Sequence, residues 1–121
     1  MKYEDLYDEF INLFPEDHEQ FKRLEEKTGA ERSIGMHIVF GLVVSPYILS
    51  LLEKDHEKAK QAFDFVEKME ISEDERIVNV ADVSVLEILI TEETCGIEKI
   101  RKYLGPESLA SVSHTAKYYN L

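Results

Sequence analysis

The 121-residue sequence has no tryptophan, a single cysteine, three prolines and five glycines. One thiol, Cys95, excludes an internal disulfide framework and suits a reducing compartment such as the cytoplasm. So few glycines and prolines leave little material for tight turns and point towards long helices. Catalytic signatures are missing too: there is no glycine-rich phosphate loop, no H-E-x-x-H, no paired cysteines and no G-x-S-x-G elbow. Positive charge is the scarcest resource, with 14 basic against 25 acidic side chains and a net charge of −11. Such a surface repels phosphate backbones, which argues against nucleic acid as a partner. It favours a cationic protein and accelerates that encounter, although solubility alone explains many acidic compositions. The acids crowd the start of the chain, where residues 1–31 hold ten against four bases.

No secretion signal is expected either, because "MKYEDLYDEF" opens with acids and aromatics where a basic region and an apolar run would stand. Residues 33–52, "SIGMHIVFGLVVSPYILSLL", carry no formal charge over about the length that crosses a bilayer. His37, two glycines, two serines and Pro46 interrupt the stretch, and no basic cluster flanks it. It reads as a buried core helix, with no membrane as partner.

What is present is helical periodicity. Tyr3, Leu6, Tyr7, Phe10, Leu13 and Phe14 share one face, opposite Glu4, Asp5, Asp8 and Glu9. Pro15 stops that helix and begins the next, which Gly29 caps. Ser33 is positioned to cap the apolar stretch, and Pro46 to bend or split it. Residues 55–70 carry an inward stripe of Ala59, Ala62, Phe63, Val66 and Met69. Ser72 with Glu75 forms a capping box. Residues 77–90 leave helix and strand both open, since their β-branched residues suit strands. The arc shared by Asn79, Asp82 and Glu87 favours helix, and Ser84 does not fit it. "EETCGIEKIRKYL" reads as a helix ending at Gly105, and Pro106 starts a last one. The expected fold is a single all-α domain over 1–121, with six or seven helices.

Asp17-His18-Glu19 recurs as Asp55-His56-Glu57, and the flanking apolar positions also align at shifts of 38 and 37. Units of about 3–28, 41–70 and 78–104, with a capping helix over 106–120, match the plan of stacked helical hairpins of the HEAT or armadillo kind. An irregular bundle produces similar stripes. Adjacent side chains on a helix diverge, whereas metal ligands want spacings of three or four. Each tripeptide therefore marks a helix start, where an acid accepts free backbone N–H groups. No metal or cofactor is expected.

His37 reads as a core histidine paired with a backbone or hydroxyl group, and Cys95 as a small packing residue. Asp82 and Glu87 are the carboxylates most unusually placed. An enzyme would need both to converge with His37, and a network or partner-facing role suits them better. Tyr47, Tyr103, Tyr118 and Tyr119 offer interface-type contact area or finish the core edge; Tyr118 points off the apolar stripe and fits an interface best.

The segments "GMHIVFGLVVSPYILSLLE", "DERIVNVADVSVLEIL" and "YLGPESLASVSHTAKYYN" resemble a group of short, acidic, uncharacterised all-α bacterial proteins. Some of these are immunity proteins encoded beside secreted toxins of the contact-dependent or polymorphic type. The resemblance implies a non-enzymatic partner protein, binding a cationic toxin domain one-to-one and blocking its active site. An RNase or DNase, whose substrate groove is basic, is the expected target. The alternative is a general helical-repeat adaptor without toxin specificity. Under the first reading the contacts are acids on exposed corners and faces, namely Glu57, Asp64, Asp74, Glu75, Asp82, Glu92 and Glu93, with Tyr118 as an apolar anchor.

Overall fold

A computed structural model describes residues 1–121, and every regular element in it is a helix. Seven helices follow in order: α1 (3–11), α2 (15–28), α3 (Met36–Lys54), α4 (His56–Glu70), α5 (75–91), α6 (96–103) and α7 (Pro106–Tyr118). The valine-rich region is thus helical throughout. Its β-branched side chains find a packed, helical environment, which overrides their local preference.

α3 lies at the centre, against α2 on one side, α5 on the other and α4 behind. It is long and apolar enough to cross a membrane, yet it supplies Val39, Phe40, Val43, Val44, Tyr47, Ile48 and Leu51 to the core, all at most 1% exposed. The core is one cluster that draws on every helix. At its α1–α2–α3 end it is aromatic: Phe10 meets Phe14, Phe21, Phe40, Tyr47 and Phe65 at centroid distances of 5.4–6.2 Å, mostly edge-on or tilted. Such pairs add about 0.5–1.5 kcal/mol each beyond the area they bury.

Several local expectations shift. Pro46 does not split α3. The helix widens to a π turn over Phe40–Val44, closed by the Ser45 N–H bonding the Phe40 carbonyl five residues back. The wide turn ends next to the proline and gives its ring room that a tight turn denies. α5 contains a matching π turn over Val80–Leu86, and the two turns pack together. Ser33 does not cap α3, which starts after Gly35; the Ser33 hydroxyl donates instead to Glu31. At the start of α5 the cap is Asp74, which accepts from the Arg76 N–H at 3.0 Å, while Ser72 accepts from the Asp74 N–H. Residues 92–95 lie outside α6, which begins at Gly96. Leu13 falls in the turn after α1 and is exposed, whereas Phe14 turns back into the core. Gly29 takes a left-handed conformation (φ 73°) and ends α2 as the sequence indicates.

The two Asp-His-Glu corners part company in chemistry. Asp55 caps α4, accepting from the Lys58 N–H at 3.1 Å. Asp17 makes no such cap; its carboxylate accepts from the Tyr47 hydroxyl at 2.6 Å and from Lys58 Nζ at 2.9 Å. Lys58 also holds Glu16 at 2.9 Å, so a residue of the second corner fastens the first. His18 bonds the Ile11 carbonyl and His56 the Tyr103 hydroxyl. No three histidine, cysteine, aspartate or glutamate side chains gather in ligating geometry.

Candidate protein-interaction surface

α5 organises the surface chemistry. Its N-terminal pole carries Asp74 and Glu75, and its C-terminal pole is followed by Glu92 and Glu93. Seventeen helical residues separate these pairs by about 25 Å. Glu75, Glu92 and Glu93 are exposed and have no basic partner within salt-bridge distance. Asp74 differs, because Arg76 grips its carboxylate at 2.8 and 3.0 Å from a side chain and its own N–H. That grip, rather than burial, holds the Asp74 carboxyl below its ordinary range. On α4, Glu57 is exposed and unpaired, and Asp64 is exposed but paired with Lys60. Tyr118, at the end of α7, is 81% exposed and meets Tyr119 edge-on.

Asp82 lies apart from the other acids of this set. Half-buried in the middle of α5, it accepts the Ser111 hydroxyl of α7 at 2.6 Å. Beside it stands Glu70, the last residue of α4, whose Oε2 is shut off from solvent and receives no hydrogen bond. A buried acceptor next to another carboxylate is tolerable only if one of the two carries a proton, which then bridges them. Burial first, and the bond and charge of Asp82 second, raise the Glu70 carboxyl to about 9. Burial and the neighbouring carboxylate thus favour the protonated form of Glu70.

One turn earlier, Glu67 does the opposite. Its carboxylate reaches across to α7 and accepts the N–H groups of Glu107 at 3.1 Å and Ser108 at 2.9 Å. Burial opposes ionisation there, but the two N–H groups outweigh it and hold the carboxyl below its ordinary value. Gly105 makes the reach possible: a Cβ at this position would stand 2.5 Å from Glu67 Cδ.

The contact between α3 and α5 is a polar seam inside apolar surroundings. His37 Nδ1 and the Ser84 hydroxyl lie 2.6 Å apart, with Asn79 at 3.5 Å from the other ring nitrogen. The fully buried Ser45 hydroxyl donates to the Ser84 carbonyl at 2.7 Å. Ser84, the residue that broke the polar arc, is thus the hinge point of the seam. His37 does pair with a hydroxyl, though it is half-buried rather than enclosed. Asp82, Glu87 and His37 each take a different partner: Ser111, the Tyr119 hydroxyl and Ser84 respectively. Of the other tyrosines, Tyr47 is fully buried in the aromatic core, and Tyr103 stacks on Phe63 at 5.5 Å. Burial raises the Cys95 thiol above its ordinary range, which suits packing and not nucleophilic attack.

The sequence reading missed Glu67, Glu70 and Ser111. Glu70 carries a weak signal, since it lies next to Met69 at the inward edge of α4. Ser111 carries none, because exposed and bridging serines look alike in a sequence. Neither a curated protein nor a solved structure matches the chain. A family model described as a domain of unknown function (DUF7674) matches residues 7–120, nearly the whole fold described above. The chain belongs to the DUF7674 family.

Proposed function

We propose that this chain is an immunity-type protein of the bacterial cytoplasm that binds a cationic toxin domain one-to-one and occludes its basic substrate groove, the target being a nuclease. The observation that carries the reading is the set of exposed carboxylates without counter-cations, Glu57, Glu75, Glu92 and Glu93, on a chain of net charge −11. A nuclease concentrates positive potential where phosphates bind, and carboxylates at two poles about 25 Å apart can span such a groove as substrate mimics. Asp64 and Asp74 contribute less, since Lys60 and Arg76 already neutralise them. The resemblance to immunity proteins supports the same reading.

The test is co-expression with the product of the open reading frame upstream of its gene, scored as cell survival, together with binding rates over a range of salt. Protection, a one-to-one complex and association that slows with salt are expected. Reversing Glu75, Glu92 and Glu93 together to lysine should cut the association rate by about tenfold or more. Unchanged binding in that triple variant refutes the electrostatic mechanism. Binding without protection assigns the chain to the adaptor reading.

A further inference from the structure

Between the two acidic poles lies an apolar strip with nothing on it. α3 and α5 run side by side in the same direction: His37 meets Asn79 and Ser84, Gly41 faces Ile88, and Leu49, Ser50, Leu52 and Glu53 line one cavity of about 250 Å³ with Thr94 and Cys95. His37, Gly41 and Ser45 of α3 point into the seam, so the residues one step round the helix turn outwards. Ile38 and Leu42 do so, as does Ile34 just before the helix, and Val83 matches them from α5; the four are 43–49% exposed. An aligned row of aliphatic side chains left this open is unusual on a surface otherwise dense in charge.

Charge selects the occupant. Acids stand at both ends of the strip, Glu75 at one and Glu92 and Glu93 at the other. Near those ends Arg76 is held by Asp74, Arg32 by Asp8, and Lys99 by the Thr94 carbonyl and Glu53. A second copy laid across the strip in either direction sets acid against acid at both ends, so self-association is disfavoured. A partner that presents an apolar ridge flanked by lysine or arginine matches both the strip and its ends, in the arrangement of apolar centre and charged rim found in protein interfaces.

From this geometry we infer that the α3–α5 seam is the docking surface, with Ile38, Leu42 and Val83 as apolar anchors for a ridge of a basic protein. The inference rests on the cationic-partner reading and adds where that partner sits. It shifts the weight of binding from the acids to the strip between them: the acids steer, and the aliphatic row holds.

The experiment uses the full ¹⁵N-labelled chain and a synthetic basic amphipathic helix of about 18 residues, leucines on one face and lysines on the other. Amide shifts concentrated at Ile38, Leu42 and Val83 are expected, with Ile38→Ser/Leu42→Ser weakening the peptide by about tenfold or more at unchanged melting temperature. Val83→Ser should weaken it separately, and the same peptide with glutamate for lysine should not bind. Shifts clustered elsewhere, or undiminished affinity in the serine variants, overturn the seam while leaving toxin protection as a separate question. Concentration-dependent dimerisation of the wild type, abolished in the double variant, overturns it in favour of a second copy. Loss of protection with intact seam binding refutes the toxin reading alone.

Discussion

Glu70→Gln should stabilise this protein at neutral and alkaline pH. The native fold keeps the Glu70 carboxyl protonated up to about 9, against an ordinary value of 4.5, because it is half-buried against Asp82. The unfolded chain releases that proton near the ordinary value. Between the two pH values the native state therefore binds one proton more than the unfolded state, and stability falls as pH rises. At pH 7 the gap above 4.5 is 2.5 pH units, which at about 1.4 kcal/mol each sets an upper bound of about 3 kcal/mol. The side chain is only partly buried, so screening reduces this to about 1–2 kcal/mol. Glutamine is neutral at every pH, nearly the same shape, and its amide can still donate to Asp82. The variant should match the wild type near pH 4.5 and melt higher at pH 8, by about 4–10 °C for a domain of this size. Thermal melts of both proteins from pH 4.5 to 9 test this, because all other titrations cancel in the difference. A difference curve that stays flat, or a variant less stable at pH 8, would show that Glu70 is ionised in the native state and would refute the argument.

Other substitutions probe separate parts of the fold. Gly105→Ala should cost about 1–2 kcal/mol in urea titration, the worth of a helix cap, by pushing Glu67 off the Glu107 and Ser108 N–H groups; an unchanged midpoint would mean that Glu67 moves aside freely. Lys58→Met should cost about 0.5–1 kcal/mol at pH 7 through its ion pair with Asp17, whose carboxyl the Tyr47 hydroxyl and Lys58 together hold below its ordinary value against the effect of burial; Lys58 also holds the Glu16 carboxyl low. Carboxyls lowered in the native state stabilise it above the unfolded values and lose that contribution as pH falls through the native ones. The Lys58→Met deficit should therefore shrink below about pH 4, and a deficit constant with pH would mean that Lys58 acts through packing.

Local signals placed the helices wherever the chain punctuates itself. Gly29 ends α2, Pro15 and Pro106 open helices, and the stripe of Ala59, Ala62, Phe63, Val66 and Met69 is buried as its spacing requires. Residues 77–90 looked ambiguous because their β-branched residues suit strands, and the π turn over Val80–Leu86 adds to this by shifting the period within the helix. Pro46 misled for a related reason, since the adjacent π turn absorbs its ring. The exposed acids were legible as charge, but their sorting into paired and free was not: Asp64 and Asp74 are neutralised by cations four and two residues away, while Glu75 is not. The Glu70–Asp82–Ser111 contact joins three helices, and long-range pairings of this kind leave no trace in neighbouring residues. The aliphatic row of Ile34, Ile38 and Leu42 was visible as spacing but was indistinguishable from core until burial separated its face from that of Val39, Phe40 and Val43.

Glu67 ties the opening of α7 to a distant part of the chain. The free amides opening α7 find their acceptor on α4, about forty positions earlier, and the local sequence offers no side chain to replace it. Excised as a peptide, that segment would fray at its start and spend most of its time as coil. Inside the whole chain its first turn is completed by a side chain that α4 supplies. The C-terminal helix thus depends on a neighbour for a fully bonded start, and the Ser111 contact with Asp82 ties it to α5 as well.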